Sequence, residues 1–304
     1  MPTRQGSIRL FQLFGINVYL HFTWFLVIYY FIYQGKGYSS PLWSVLICLS
    51  LFLIVLMHEF GHSLACRQVG GQANQIVLWP LGGVAYVAPP QRAGAMLWSI
   101  AAGPLVNVVL FPVFSIIWWV GYSANWMEIF PNVYLYIMTL WYINVLLLAF
   151  NLLPIYPLDG GQILQSLLWF VFGRSRSLMI ATIIGFIGIA AFIPVLIMVN
   201  QMWYYLLAGF ALLNCWDGLM QACALARVAK MPRRDGFACP SCHATPPLGE
   251  LWRCGKCGKA FDAFLTQAAC PHCGTQFNAT LCVDCGMSSP IHDWAVAPST
   301  GNMP

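Results

Sequence analysis

Long apolar stretches recur along the chain, each close to the roughly 20 residues that a helix needs to cross a bilayer. They lie at roughly 18–33, 42–66, 95–120, 133–153, 178–199 and 202–223. Six such spans predict an all-α polytopic membrane protein with both termini on one side. Two regions break the pattern. Ile76–Ala88 reads as strand, Pro/Gly turn, strand. It is too apolar for water, which predicts a membrane-embedded β-hairpin tucked among the helices, where open backbone is tolerated against protein or a wet cavity. Val133–Phe172 is too long for one straight crossing, and Pro154, Pro157, Gly160 and Gly161 interrupt it. This predicts a broken helix with an unwound segment at Pro154–Gly161, the kind of element that carries binding chemistry inside membranes.

Composition agrees with the pattern. Of 304 residues, 60% are hydrophobic and 8% charged, with a mean hydropathy of +0.71. A soluble domain is about 25% charged, so an ordinary soluble enzyme, a disordered chain and a basic nucleic-acid binder are all excluded. The first apolar run follows Arg4 and Arg9 without a small-residue cleavage site, which predicts no cleaved signal. Arg4, Arg9, Arg67, Arg92, Arg174, Arg176, Arg227, Lys230, Arg233 and Arg234 fall on one side of the six-span topology, and Lys36 alone on the other. An excess of Lys and Arg marks the cytoplasmic side. Both termini are therefore expected in the cytosol, on an integral protein of the cell (plasma) membrane. The net charge of +5 then needs no nucleic acid to explain it.

The second span carries His58-Glu59-Phe60-Gly61-His62. Two His at i and i+4 leave one helical face, as two zinc ligands must, and the Glu beside them can act as general base. Nine residues separate His58 from Arg67 at the cytosolic end of the span, which places it about 13 Å inside. Ionisable residues at that depth are costly and by default functional. A catalytic zinc usually takes three protein ligands. Asp159, in the unwound segment, is better placed for the third than Glu128 in the external loop or Asp217 near the end of the sixth span. The alternative role for Asp159 is a helix N-cap.

These residues resemble the site-2 proteases, the intramembrane zinc metalloproteases of peptidase family M50. The likeness rests on His58–His62 together with Asn151-Leu152-Leu153-Pro154 and Leu158-Asp159-Gly160. Ala102-Gly103-Pro104 with Asn107, Pro80-Leu81-Gly82-Gly83, and Gly15-Ile16-Asn17-Val18 with His21 extend it over about residues 10–225. The resemblance implies that His58, His62 and Asp159 hold a catalytic zinc and that Glu59 is the catalytic residue that activates water. It implies that Asn151 holds the substrate backbone or the oxyanion. The substrate would be a transmembrane protein cut within or near its membrane segment. Once unwound, that segment could add as a strand to an edge of the hairpin. A polar path from the cytosol is expected. His21 reads as an interfacial side chain, and Cys48, Cys66, Cys215 and Cys223 as small apolar fillers.

Eight of the 12 cysteines lie in four C-x-x-C pairs: Cys239/Cys242, Cys254/Cys257, Cys270/Cys273 and Cys282/Cys285. Such pairs signal tetrahedral structural zinc, and in a reducing cytosol disulfides are rare. Two zinc ions in a double zinc ribbon follow, one catalytic zinc making three. The simplest grouping joins the first pair to the second and the third to the fourth, with interleaving open. So small a domain needs the metal for much of its folding energy. The expected organisation is a membrane domain over 1–228, a linker at 229–237, the ribbons at 238–286 and a flexible tail at 287–304. Between Gly236 and Cys285, Arg253, Lys256 and Lys259 balance Glu250, Asp262 and Asp284. Phosphate affinity needs excess positive charge, so a regulatory protein partner is expected at the ribbons rather than nucleic acid.

Two other classes compete with the protease. A non-cleaving zinc-binding scaffold or receptor acting through the ribbons has no use for Glu59. A transporter would show paired inverted repeats, and no second segment like Asn151–Gly161 occurs.

Overall fold

Ser40 and Pro41 start the first long helix. The Ser40 side chain accepts from Leu42 N–H at 3.3 Å, and proline suits the first turn because its missing N–H would be unpaired there. The helix, α1, runs Pro41–Gln68 and stops at Gly70, whose φ of 85° is cheap only for glycine. This computed structural model describes residues 6–26, 28–29, 39–79, 82–156, 158–199 and 202–295. Arg4, Lys36, the Pro80–Leu81 turn, Pro157 and residues 296–304 of the expected tail lie outside the described residues.

Further helices are α2 (Ala93–Ser123), α3 (Pro131–Asn151), α4 (Asp159–Val199) and α5 (Met202–Ala229). α4 is broken at Gly173, where φ 76° and ψ 168° are not helical. Four helices among the described residues are long and apolar enough to cross a membrane: α1, α2, α3 and Asp159–Pro194 of α4. α2 keeps Pro104 and Pro112 in its interior, which helices in a membrane tolerate better than those in water. The chain clusters into two compact units, one of Met1–Pro89 with Ala93–Leu219 and one of Pro90–Arg92 with Met220–Pro304.

The start of the first expected span is where sequence and structure part. Residues 18–21 are strand, 24–26 and 28–29 are helical, and 27 and 30–33 lie outside the described residues. The strand belongs to a hairpin of β1 (Ser7–Leu13) and β2 (Ile16–His21). The strands are joined by a two-residue turn at Phe14 and Gly15, both with positive φ, as the twist of a tight hairpin requires. With β3 (Gln72–Trp79) and β4 (Gly82–Ala88) they make one sheet in the order β1-β2-β3-β4. β2 and β3 are parallel, joined by a crossover through α1, and β4 returns antiparallel. An all-α reading with a lone hairpin is thus corrected to helices with a four-stranded sheet packed on α1. The reason is physical: β2 and β3 are buried parallel strands, with Ile16, Val18, Ile76 and Leu78 packed on Val55, Leu56 and Phe60 of α1. A strand buried on both faces reads as a continuous apolar run, indistinguishable from a helix start. Arg67, at the end of α1, donates to the carbonyls of Phe14, Gly15 and Ala73. It ties the hairpin tip to the start of β3.

The second unit holds β5 (Trp252–Arg253), β6 (Ala260–Phe261), β7 (Thr280–Leu281) and β8 (Ser288–Ser289), paired as β5–β6 and β7–β8. Phe264 is central to its core, with edge-on contacts to Phe237, Trp252 and Trp294 at 5.0–5.3 Å between ring centroids. The tail expected to be flexible from residue 287 is structured through residue 295: β8 lies in it, and Trp294 is buried. The segment expected as a linker is likewise held. Arg233 makes a two-pronged ion pair with Asp284, Arg234 pairs with Asp262, and Phe237 packs into the core.

Candidate active site and metal centres

α1 brings His58, Glu59 and His62 onto one buried face, and Asp159, after the non-helical residues 152–156 and 158, is the first residue of α4. The break is packed tightly. A Cβ at Gly160 would collide with the carbonyls of Leu152 and Leu153, so the Gly-Gly after Asp159 lets α4 start hard against the segment that precedes it. Tyr156 is held from the other side, its carbonyl accepting from the Cys215 thiol at 2.9 Å.

The three candidate ligands converge. His58 Nε2 lies 3.0 Å and His62 Nε2 3.4 Å from Asp159 Oδ2, and the two Nε2 atoms are 3.1 Å apart. His58 Nδ1 faces Asn107 Oδ1 at 2.7 Å, and His62 Nδ1 faces the Ser99 carbonyl at 3.0 Å. Both partners are acceptors, so each ring carries its proton on Nδ1 and turns a lone pair of Nε2 inward. Two lone pairs and a carboxylate oxygen in mutual contact repel unless a cation lies among them. With metal–ligand bonds of about 2.0–2.1 Å, the edges of a tetrahedron are about 3.3 Å, so this donor set fits zinc in spacing as well as chemistry. Glu128 and Asp217, the weaker candidates for the third ligand, are exposed on other elements.

Partners beyond the ligands hold the rings. The Asn107 amide donates to Asn144 Oδ1 at 2.9 Å, and the Asn144 amide donates to the Asn107 carbonyl at 3.0 Å. Both residues have no exposed surface. Gly103 gives the His62 ring its room, since a Cβ there would run into the imidazole. Glu59 Oε2 accepts from the Ala85 N–H of β4 at 2.9 Å. Asn144 escaped the sequence reading, although an amide inside an apolar span was a usable signal. The Ser99 carbonyl and Ala85 N–H are backbone groups and leave no mark in a sequence. Asn151 ends α3, half-buried, where the helix gives way to the break. His21, expected at an interface, is buried: it stacks on Trp79 at 3.7 Å and hydrogen-bonds Thr23. Cys48, Cys66 and Cys215 are buried free thiols, and Cys223 is half-buried.

The eight tail cysteines form two groups, and the grouping is nested. Cys239, Cys242, Cys282 and Cys285 converge, as do Cys254, Cys257, Cys270 and Cys273. The simplest sequential grouping is therefore wrong. Similar spacings between successive pairs gave no basis for choosing. Tertiary contacts accompany the nesting: Phe261, inside the inner group, stacks on Phe277 just beyond it, and Trp252 Nε1–H donates to the Leu281 carbonyl across the outer one. Four Sγ···Sγ separations of 3.5–3.8 Å are far beyond a disulfide bond of about 2.05 Å. They match the edge of about 3.8 Å expected of a zinc tetrahedron with Zn–S near 2.3 Å. Each pair makes the same turn; in one, Cys254 N–H donates to the Lys259 carbonyl and Gly258 N–H to the Cys254 carbonyl, both at 2.9 Å. The thiols are unlike without metal. The Thr275 hydroxyl beside Cys273 pulls it down to about 6, while burial pushes Cys242 up to about 11.

The chain matches the profile of Peptidase family M50 over residues 46–131 and 124–195. A zinc metalloprotease of Methanocaldococcus jannaschii is 37% identical over 179 residues, covering 59% of this chain and 50% of the relative. Stage IV sporulation protein FB of Bacillus subtilis is 31% identical over 122 residues, 38% of each chain. The chain thus spans about half the length, or less, of these two curated relatives. Among solved structures, a site-2 protease from Methanocaldococcus jannaschii aligns with a TM-score of 0.50 and 28% identity, covering 70% of this chain and 95% of that one. Sequence, fold and donor set agree, and the chain belongs to peptidase family M50, with the site-2 proteases.

Proposed function

We propose that this protein is an intramembrane zinc metalloprotease that hydrolyses a peptide bond within or near a transmembrane segment of a membrane protein. The observation that carries the reading is the convergence of His58 Nε2, His62 Nε2 and Asp159 Oδ2 at tetrahedral spacing on apolar helices, with Glu59 alongside. These three residues would hold one zinc. Bound zinc supplies Lewis acidity, polarising a carbonyl and making a water acidic enough to attack near neutral pH. Glu59 takes the proton of the attacking water and delivers it to the leaving amine. The edge of β4 adds to the unwound substrate as a neighbouring strand. Asn151, at the end of α3, holds the substrate backbone or the developing oxyanion.

The finer topology belongs to the same proposal. Six crossings, with the β3–β4 hairpin at membrane depth, put both termini in the cytosol of a plasma-membrane protein. The organisation is a membrane domain over 1–228 followed by cytosolic ribbons. Two structural zinc ions in the nested cysteine groups bring the total to three. The ribbons present no excess positive charge and would meet a regulatory protein rather than nucleic acid.

The test compares membrane and cytosolic peptide termini in cells carrying wild type or Glu59→Gln. The expected result is a cytosolic fragment lost in the variant, its membrane-bound precursor accumulating while the zinc content stays. Continued cleavage by Glu59→Gln overturns the mechanism.

A further inference from the structure

β4 ends the sheet, so nothing in the sheet pairs with its outer side. In an antiparallel ladder the N–H and C=O of one residue point the same way, and successive residues alternate. Ala85 sits opposite Ile76 of β3, yet its N–H turns outward to Glu59 Oε2. Gly83, two residues earlier, shares that direction, and a Cβ there would strike the Glu59 side chain. The strand therefore gives Glu59 two things at once, a donor and a recess. Glu59 is itself buried, and a buried carboxylate without a donor is costly.

We propose that β4 is the positioning strand for the base: the Ala85 N–H holds one Glu59 oxygen, and the recess at Gly83 fixes the side chain so that the other oxygen serves the proton. Ala85 and Gly83 are positioning residues. The proposal rests on the reading of Glu59 as the base. It assigns the hairpin a part in the chemistry that is separate from pairing with substrate.

Ala85→Pro tests it in the full-length protein. Proline removes the outward N–H, which the ladder does not use, and edge strands accept proline at such positions. The expected result is a fall in kcat of about ten- to a hundredfold, the cost typical of losing an outer-shell partner, with zinc content kept. Ala85→Gly restores the N–H and with it the rate. Equal kcat in the two variants overturns the proposal. Should Ala85→Pro fail to fold, Gly83→Ala decides, since its methyl pushes Glu59 off the donor; an unchanged kcat there is equally fatal. Amide exchange at Ala85 gives a readout free of catalysis. It should speed up by about tenfold or more in Glu59→Ala, as local protection is lost, and unchanged exchange overturns the contact. A wild type that cleaves no membrane substrate but shows this exchange effect removes the protease reading and leaves the contact standing.

Discussion

Replacing Asn107 by leucine separates the metal-orienting role of the buried amide pair from its structural one. Leucine keeps the branched outline of asparagine, although its methyls need more room than hydrogen-bonded atoms, and two hydrogen bonds go. His58 Nδ1 loses its acceptor, and Asn144 Oδ1 loses its donor, while Asn144 keeps its own bond to the backbone carbonyl of residue 107. The His58 ring is then free to turn, and its proton is free to move to Nε2, where it blocks the metal. Losing such a partner costs about 10–100-fold in metal affinity, or about 1.4–2.8 kcal/mol. Stability falls separately, by about 1–3 kcal/mol for each buried polar group left unpaired. The two effects part company in the double variant Asn107→Leu/Asn144→Leu. Removing both amides leaves one fewer orphan, so stability recovers in part, while zinc affinity stays low. The assay is chelator competition on the full chain, counting the zinc that leaves before the cysteine-bound ions, beside thermal unfolding. Affinity unchanged in a folded Asn107→Leu protein would refute the claim that Asn107 sets the His58 tautomer.

Zinc counting checks the rest. Of three candidate centres, His58→Ala/His62→Ala should remove one ion per chain. Cys239→Ser/Cys282→Ser should also remove one, because both belong to the outer group, whereas Cys239→Ser/Cys254→Ser should remove two; the reverse order would restore the sequential grouping. Trp294→Ala should destabilise the ribbon unit by about 3–5 kcal/mol, the usual cost of truncating a buried aromatic, as read by denaturant unfolding of the intact protein. Unchanged unfolding would show that residues 288–295 are dispensable to that core.

What could be read from the sequence follows the length over which a signal is spread. Apolar helices announce themselves over twenty residues, and α1, α2 and α3 fall close to the stretches expected of them. The break before Asp159 was equally visible, because Pro154 and the Gly160–Gly161 pair interrupt an apolar run. β1 and β2 were not visible. β2 is six residues of buried strand, antiparallel to β1 on one side and parallel to β3 on the other, and so short an apolar run cannot be told from a helix start by its pattern alone. The nested cysteine grouping is the same case. Each pair forms a local turn set by its own spacing, but which pairs meet is visible only in the folded unit, where contacts such as Phe261 on Phe277 join distant stretches.

The candidate site divides along the same line, and the division says how it is built. Side chains that could hold a metal must carry a donor atom, so His58, His62 and Asp159 stand out against apolar surroundings. The groups that aim them need only an acceptor or a donor at the right place. Ser99 and Ala85 supply backbone atoms, and Gly103 supplies an absence. None of these leaves a chemical signature, yet each constrains a position tightly: a methyl at residue 103 would displace the His62 ring. Gly103→Ala should therefore lower zinc affinity by about tenfold or more, as a displaced ligand does, although residue 103 never touches the metal. A chelator titration that finds wild-type affinity in this variant would mean that the ring has room to move. The site would then owe its geometry to the ligands alone rather than to the close approach of α1 and α2.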